Sequence, residues 1–242
     1  MIDSHGEHAN CAPGAPAEGI HMDKIESFLC KLVTYDEIMK WTANIAKQIR
    51  ACDCKPTVIV GLTRGGWVPA RMLCDLLSVK KLYAVKTEHW GVTANLDGKA
   101  LLTQELIADV ANESVLVVDD ITDTGESLML AMAHLFKKQP AELKSATLLH
   151  ITHSKIEPDF YAVEVPKEKW AWFIWPWNLH EDLRTLLPKT LYEPKTVPQI
   201  KKAFREQFHI TVPESHIRMT LNDLAKRGAV RKNGKAWERK VA

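Results

Sequence analysis

Cysteine is scarce and unpatterned in this 242-residue chain. Its five thiols, at positions 11, 30, 52, 54 and 74, form no even, regularly spaced framework, which excludes a small fold stapled by disulfides. Cys52 and Cys54 have no second pair to complete a zinc site, so reduced thiols in a cytoplasmic protein are expected. Long apolar runs are also missing. None approaches the ~18 residues that would span a bilayer, and no membrane partner is expected. The first 21 residues, rich in Ala, Gly, Pro and His, lack the apolar stretch of a signal peptide. They are read as a disordered or non-native leader, with Met22 as the natural start, and are set apart from the fold.

Charge of one sign is lacking overall but not locally. From Lys195 to the end there are twelve Lys or Arg against four acids, a net of +8, which leaves −6 for the rest of a chain whose total is +2. A basic module attached to a mildly acidic body is expected. The remaining composition, 46% hydrophobic and 26% charged, is that of an ordinary globular protein and excludes disorder or a fibre.

What is present alternates. Thr34 with Glu37 has the capping-box spacing, and Ile38, Trp41, Ile45 and Ile49 then recur on one face, so a helix over about 34–50 is predicted. Short apolar, β-branched runs follow at TVIVGL, KLYAVKT (81–87), SVLVVDD from Ser114, SATLLHI (145–151) and DFYAVEV (159–165). Helical stretches at 68–77 and about 126–138 separate some of them, and 88–112 reads as polar and irregular. Strands alternating with helices indicate an α/β fold, a doubly wound and mainly parallel sheet with ligands at the carboxyl ends of its strands.

The densest chemistry is VLVVDDITDTGES (115–127). A buried strand ends in Asp119 and Asp120, which suit a hydroxyl-rich ligand or a hydrated divalent cation. Thr122 to Ser127 then open a helix, and backbone amides with hydroxyls at such a start cradle an anion. The bland alternative is that Asp123 and Thr124 only cap that helix. The full string, however, resembles the phosphoribosyl-pyrophosphate signature of the type I phosphoribosyltransferases: an apolar strand, two acids, a spacer and a T-G-x-[ST] loop. The resemblance implies that Asp119 and Asp120 hold the ribose hydroxyls and Mg²⁺, the ion through water. It implies that Thr122, Asp123, Thr124, Gly125, Glu126 and Ser127 hold the 5′-phosphate.

A second stretch, GLTRGGWVPA (61–70), resembles the pyrophosphate loop of the purine branch of that family. Thr63, Arg64, Gly65 and Gly66, with Lys86 from the next strand, are then the expected pyrophosphate contacts. Glycines let backbone donors approach closely, and Arg64 stabilises the departing charge as a catalytic group. The resemblance also implies a non-proline cis peptide near Thr63–Arg64. A third stretch, Trp172-Phe-Ile-Trp-Pro176-Trp177, resembles the W-x-x-x-P-W segment of xanthine–guanine enzymes and their archaeal relatives. Trp172 and Phe173 become base-binding candidates, with Trp170 a competitor; clustered tryptophans that merely pack remain the alternative. KTEHWG (86–91) would begin a loop that closes over the reaction centre.

The implied reaction displaces pyrophosphate at the anomeric carbon by a purine nitrogen, with Mg²⁺ on the donor and Asp123 as catalytic proton partner of the base. One departure concerns base choice. Oxopurine enzymes of this family carry a Lys after the strand matching SATLLHI, where a gap-free alignment puts Ile151. Lys155 could serve only if the loop is rebuilt, and His150 or His153 are substitutes. The missing Lys raises adenine as a substrate, while the tryptophan segment favours 6-oxopurines.

Three domains are expected: a leader over 1–21, a phosphoribosyltransferase domain over 22–188, and a basic winged-helix-like domain over 189–242. The last reads as a linker with prolines at 188, 194 and 198, helices over about 198–209 and 213–227, and two short strands around Asn233-Gly234. It opens a rival function, a regulator that senses phosphoribosyl pyrophosphate and binds nucleic acid; packing on the partner subunit of a homodimer is the other use.

Overall fold

The structure, a computed structural model, describes residues 27–89 and 100–240. The leader, the Met22 start and Trp90-Gly91 of the expected closing loop lie outside these residues. In chain order the elements are β1 (Cys30–Leu32), α1 (Tyr35–Ala51), β2 (Val58–Thr63), α2 (Trp67–Leu77), β3 (Lys81–His89), β4 (Ala100–Gln104), β5 (Ser114–Thr122), α3 (Glu126–Phe136), β6 (Glu142–Ile151), β7 (Phe160–Val165), β8 (Trp172–Ile174), α4 (Leu179–Thr190), α5 (Val197–Phe208), α6 (Glu214–Lys226), β9 (Val230–Asn233) and β10 (Ala236–Arg239). Helix α1 begins where its capping box places it: Glu37 N–H donates to Thr34 Oγ1 at 3.2 Å and Thr34 N–H to Glu37 Oε2 at 2.9 Å.

Six strands form one sheet in the order β4-β3-β2-β5-β6-β7, parallel except for β4. Alternate residues of the central strands serve opposite faces, as the pleat requires. Ile59, Leu116 and Val118 pack with Ile38, Ile45 and Ile49 of α1 and Leu73 of α2. Val58, Val60, Val115 and Val117 pack with Leu128, Ala131 and Leu135 of α3 on the other face. The sequence of connections reverses direction between β2 and β5. That is the switch point at which crossovers leave a crevice, and it is where such sheets bind ligands.

A second core lies beside the sheet. Leu183, Leu186 and Leu187 of α4 pack with Ile200, Phe204 and Phe208 of α5, with Ile217, Leu221 and Leu224 of α6, and with Val230 and Trp237 of the hairpin. Pro188 does not end the helix: α4 runs through it to Thr190, because the leucines on either side of the proline are buried in this core. The short parallel pair β1–β8 borders it, with Cys30 and Ile174 inside.

Three further expectations change. The 88–112 stretch contains β4, held antiparallel on β3. The hairpin pairs Asn233 with Ala236, so its two central residues are Gly234 and Lys235 rather than Asn233 and Gly234. Cys52 and Cys54, expected as free thiols, are joined as a disulfide. The turn after α1 sets their Cα atoms 5.3 Å apart, within bridging reach. Among the described residues no helix is long and apolar enough to cross a membrane.

Candidate active site

Two loops meet at the switch point, one after β2 and one ending β5. The β2 loop carries a cis peptide at Thr63–Arg64, as the family resemblance implied. It then turns through Gly65 and Gly66 into α2, and the absence of side chains there is a steric requirement. A Cβ on Gly65 would stand 2.0 Å from Asp120 Oδ2, and one on Gly66 would stand 2.3 Å from the Val118 carbonyl oxygen and 2.7 Å from Asp119 Cα. The acid pair and the glycine loop are thus packed against one another.

Asp119 accepts hydrogen bonds from the backbone N–H of Asp120, at 2.9 Å, and of Gly66. Burial, and then the neighbouring Asp120 charge, push its carboxyl well above the usual range. Asp120 is buried, and burial raises it to about 6, partly offset by backbone amides and the adjacent Trp177 indole. Two crowded carboxylates resist carrying two charges at once. Such a pair fits a cationic or multiply hydroxylated ligand, since either adds positive field or further donors to the crowded carboxyl groups.

Beyond the pair, Gly125 adopts φ +82° as the N-cap of α3, leaving the first amides of that helix facing the loop. The turn at Ser154 and Ile156 packs on it so closely that a Cβ would lie 2.5 Å from Ser154 Oγ. Thr124 Oγ1 accepts from Glu126 N–H at 3.4 Å, and Ser127 sits in the first turn of the helix. Thr122 departs from expectation. It is buried, and its hydroxyl is bonded to Thr147 Oγ1 at 3.0 Å across β5 and β6. The Thr122 hydroxyl is thus engaged by β6.

Asp123 lies 2.8 Å from His153 Nε2, which brings together the expected proton partner and one of the three substitutes for the missing Lys. The other two are elsewhere. Lys155 Nζ pairs with Glu126 Oε1 at 2.8 Å. His150 is buried on β6 with its ring 5.0 Å from that of Tyr161. Ile151 is wholly buried and paired in register with Val165.

Arg64 is held by a residue the sequence did not single out. Its guanidinium reaches both oxygens of Glu181, each at 2.8 Å, from the first turn of α4. Lys86, on β3, pairs with Glu88. Trp172 donates its indole N–H to Asp182 Oδ1 at 3.0 Å. Asp182 is buried, and burial raises its carboxyl to about 6. Trp172 packs towards the α4–α6 core, whereas Phe173, the next residue of β8, turns to the sheet core. Trp175 and Trp177 stack at 5.1 Å, while Trp170 is 39% exposed. The one signal for Glu181 and Asp182 was their position directly after the tryptophan segment.

Comparisons with known proteins agree with this geometry. Residues 32–182 match the family described as "Phosphoribosyl transferase domain". A hypoxanthine-guanine phosphoribosyltransferase of Aquifex aeolicus is 26% identical over 144 residues, 56% of this chain and 79% of that protein. A xanthine-guanine phosphoribosyltransferase of Idiomarina loihiensis is 26% identical over 149 residues, 61% of this chain and 88% of that protein. The solved purine phosphoribosyltransferase of Pyrococcus horikoshii superposes with a TM-score of 0.53 at 27% identity, covering 61% of this chain and 93% of that one. The family match ends at Asp182, so α5, α6 and the hairpin lie beyond it. With the acid pair, the glycine loop and the helix-start cradle at one switch point, and with more than half of its length matched, the chain belongs to the phosphoribosyltransferase family and is an enzyme of the type I fold.

Proposed function

We propose that this enzyme transfers the 5-phosphoribosyl group of phosphoribosyl pyrophosphate to a free 6-oxopurine, releasing pyrophosphate, as a cytoplasmic purine-salvage homodimer. The observation that carries the reading is the approach of the glycine loop to the acid pair, which puts the expected pyrophosphate and ribose contacts side by side. Purine as the acceptor class rests on the names of the relatives and on the tryptophan segment.

In this reading Asp119 and Asp120 accept from the ribose hydroxyls, while the Thr124–Ser127 backbone and hydroxyls take the 5′-phosphate at the start of α3. Thr63 to Gly66 and Lys86 bind the pyrophosphate, and Arg64 stabilises the charge that develops as it leaves. Asp119 and Asp120 would also hold Mg²⁺ through water, two adjacent carboxyl groups being an oxygen-donor set that suits a hydrated divalent cation. The ion supplies charge neutralisation of the donor's phosphates. Asp123 accepts or returns the proton on the purine nitrogen, and His153 beside it orients that carboxylate and faces the base. Phe173 stays in the sheet core, and Trp172, its N–H fixed by Asp182, offers a ring of set orientation to the base.

The test is pyrophosphate release from the donor with Mg²⁺, run with adenine, hypoxanthine, guanine, xanthine and uracil separately. Turnover with hypoxanthine, guanine or xanthine above that with adenine is expected. Binding of the donor with no turnover on any base would overturn the enzyme reading. His153→Ala should lower kcat/KM for hypoxanthine about tenfold relative to adenine, the size of one lost hydrogen bond. An unchanged ratio removes His153 from base selection.

Glu181 gives a separate expectation. Its carboxylate occupies Arg64 where the donor's pyrophosphate would bind, and an exposed pair of this kind is worth up to about 1 kcal/mol. Glu181→Gln should therefore lower KM for the donor about two- to fivefold with kcat unchanged. A raised KM would show that Glu181 positions Arg64 instead of competing for it.

A further inference from the structure

We propose that the cleft between α6 and the β9–β10 hairpin is a binding surface for duplex DNA. A cavity of about 530 Å³ opens there, lined by Thr196, Arg218, Asn222, Lys232, Lys235 and Trp237 among others, with no carboxylate in its lining. It sits in the part of the chain that carries +8 while the rest carries −6, so attraction for a polyanion is confined to this end of the molecule.

Helix α6 presents two distinct faces. Ile217, Thr220, Leu221 and Leu224 are buried in the α4–α6 core. Ser215, Arg218, Met219, Asn222 and Lys226 form the opposite, exposed stripe, with Met219 58% exposed. Thirteen residues give a rigid rod about 20 Å long, and a single helix fits the major groove, about 12 Å wide. The hairpin beside it is anchored by two bonds, Lys195 N–H to the Trp237 carbonyl at 2.9 Å and Trp237 N–H to the Lys195 carbonyl at 2.8 Å. Lys232 and Lys235 therefore stand on a fixed ribbon at a set distance from the helix, an arrangement suited to the backbone flanking a groove.

Two observations favour a duplex over other anions. Single-strand binding relies on exposed aromatic platforms, whereas the cleft's one aromatic residue, Trp237, is buried, with Lys232 Nζ 5.9 Å from its ring centroid. A small phosphate ligand would need desolvated polar groups converging on it. Here Arg218, Lys232 and Lys235 are exposed, which yields little for one anion and much for a polymer that releases counterions along its length.

The experiment uses the full chain. Binding of a labelled duplex of about three helical turns is followed by fluorescence anisotropy between about 50 and 200 mM salt, for the wild type and the K232E/K235E variant. The wild type is expected to bind with a steep salt dependence. The variant should bind at least about tenfold more weakly, with a salt slope lower by about 2, while its pyrophosphate-release activity is unchanged. Absence of binding at the lowest salt overturns the proposal, as does equal binding by the variant. Tighter binding of single-stranded DNA or of RNA than of the duplex also overturns it.

Discussion

Asp120→Asn should abolish most activity and yet melt at a higher temperature than the wild type. The carboxylate is expected to accept from a ribose hydroxyl, and loss of a charge-assisted hydrogen bond of that kind costs about 1.5–3 kcal/mol, or roughly one to two orders of magnitude in kcat/KM for the donor. The stability change has the opposite sign because burial raises the carboxyl to about 6, above the ordinary value of 3.8. The folded state thus holds a proton that the unfolded chain has released. Wild-type stability falls as pH rises from about 4 to about 6, and stays lowered above that range. Asparagine carries no charge to desolvate and relieves its neighbour Asp119 as well. A relief of about 1 kcal/mol corresponds to a melting temperature higher by about 2–4 °C at pH 8, shrinking towards zero below pH ~4. Thermal melts at the two pH values check this; a variant less stable than the wild type at pH 8 would show that the acid pair is structural instead of strained.

Gly66→Ala is expected to be the most damaging single change in the β2 loop. The added methyl would meet backbone on two sides, the Val118 carbonyl oxygen at 2.3 Å and Asp119 Cα at 2.7 Å. Backbone in the middle of a sheet cannot turn away as a side chain can. The loop must move instead, at a cost of about 1–3 kcal/mol for overpacking. It takes with it the amide that bonds Asp119. KM for the donor should rise more than about tenfold, because both the pyrophosphate loop and the ribose acids are displaced together. In Gly65→Ala the three nearest atoms all belong to the Asp120 carboxylate, a side-chain group, so its stability loss should be smaller while its activity loss remains. Equal stability losses in the two variants would contradict this account.

Much of the site was legible because its parts are short and contiguous. Strand, acid pair and cradle occupy 115–127 in one run, and the glycine loop follows its strand directly. Less legible were the contacts of residues whose direction depends on a neighbour. Thr122 belongs to the signature string, yet its hydroxyl bonds Thr147 on β6. Lys155 was a candidate by charge, yet the loop after β6 folds over Gly125 and delivers it to Glu126. The same fold delivers His153 to Asp123, a pairing across 30 positions that spacing alone could not distinguish from the one with His150. The disulfide between Cys52 and Cys54 likewise follows from the turn that ends α1, not from any cysteine pattern.

The sequence by itself determined the layered α/β fold, the order of its main elements and the location of the glycine loop and the acid-pair loop. These depend on hydrophobic period, caps and glycines, all of them local properties. Tertiary structure decided what the second half of the chain is attached to. Pro188 reads as a break, but α4 continues through it because leucines on both sides are buried in the core shared with α5, α6 and the hairpin. The first turn of that helix then supplies Glu181 to Arg64 and Asp182 to Trp172. These contacts join residues 117 and 10 positions apart. Burial and charge at such distances depend on how the two cores pack, and packing is not written in the periodicity of any single segment.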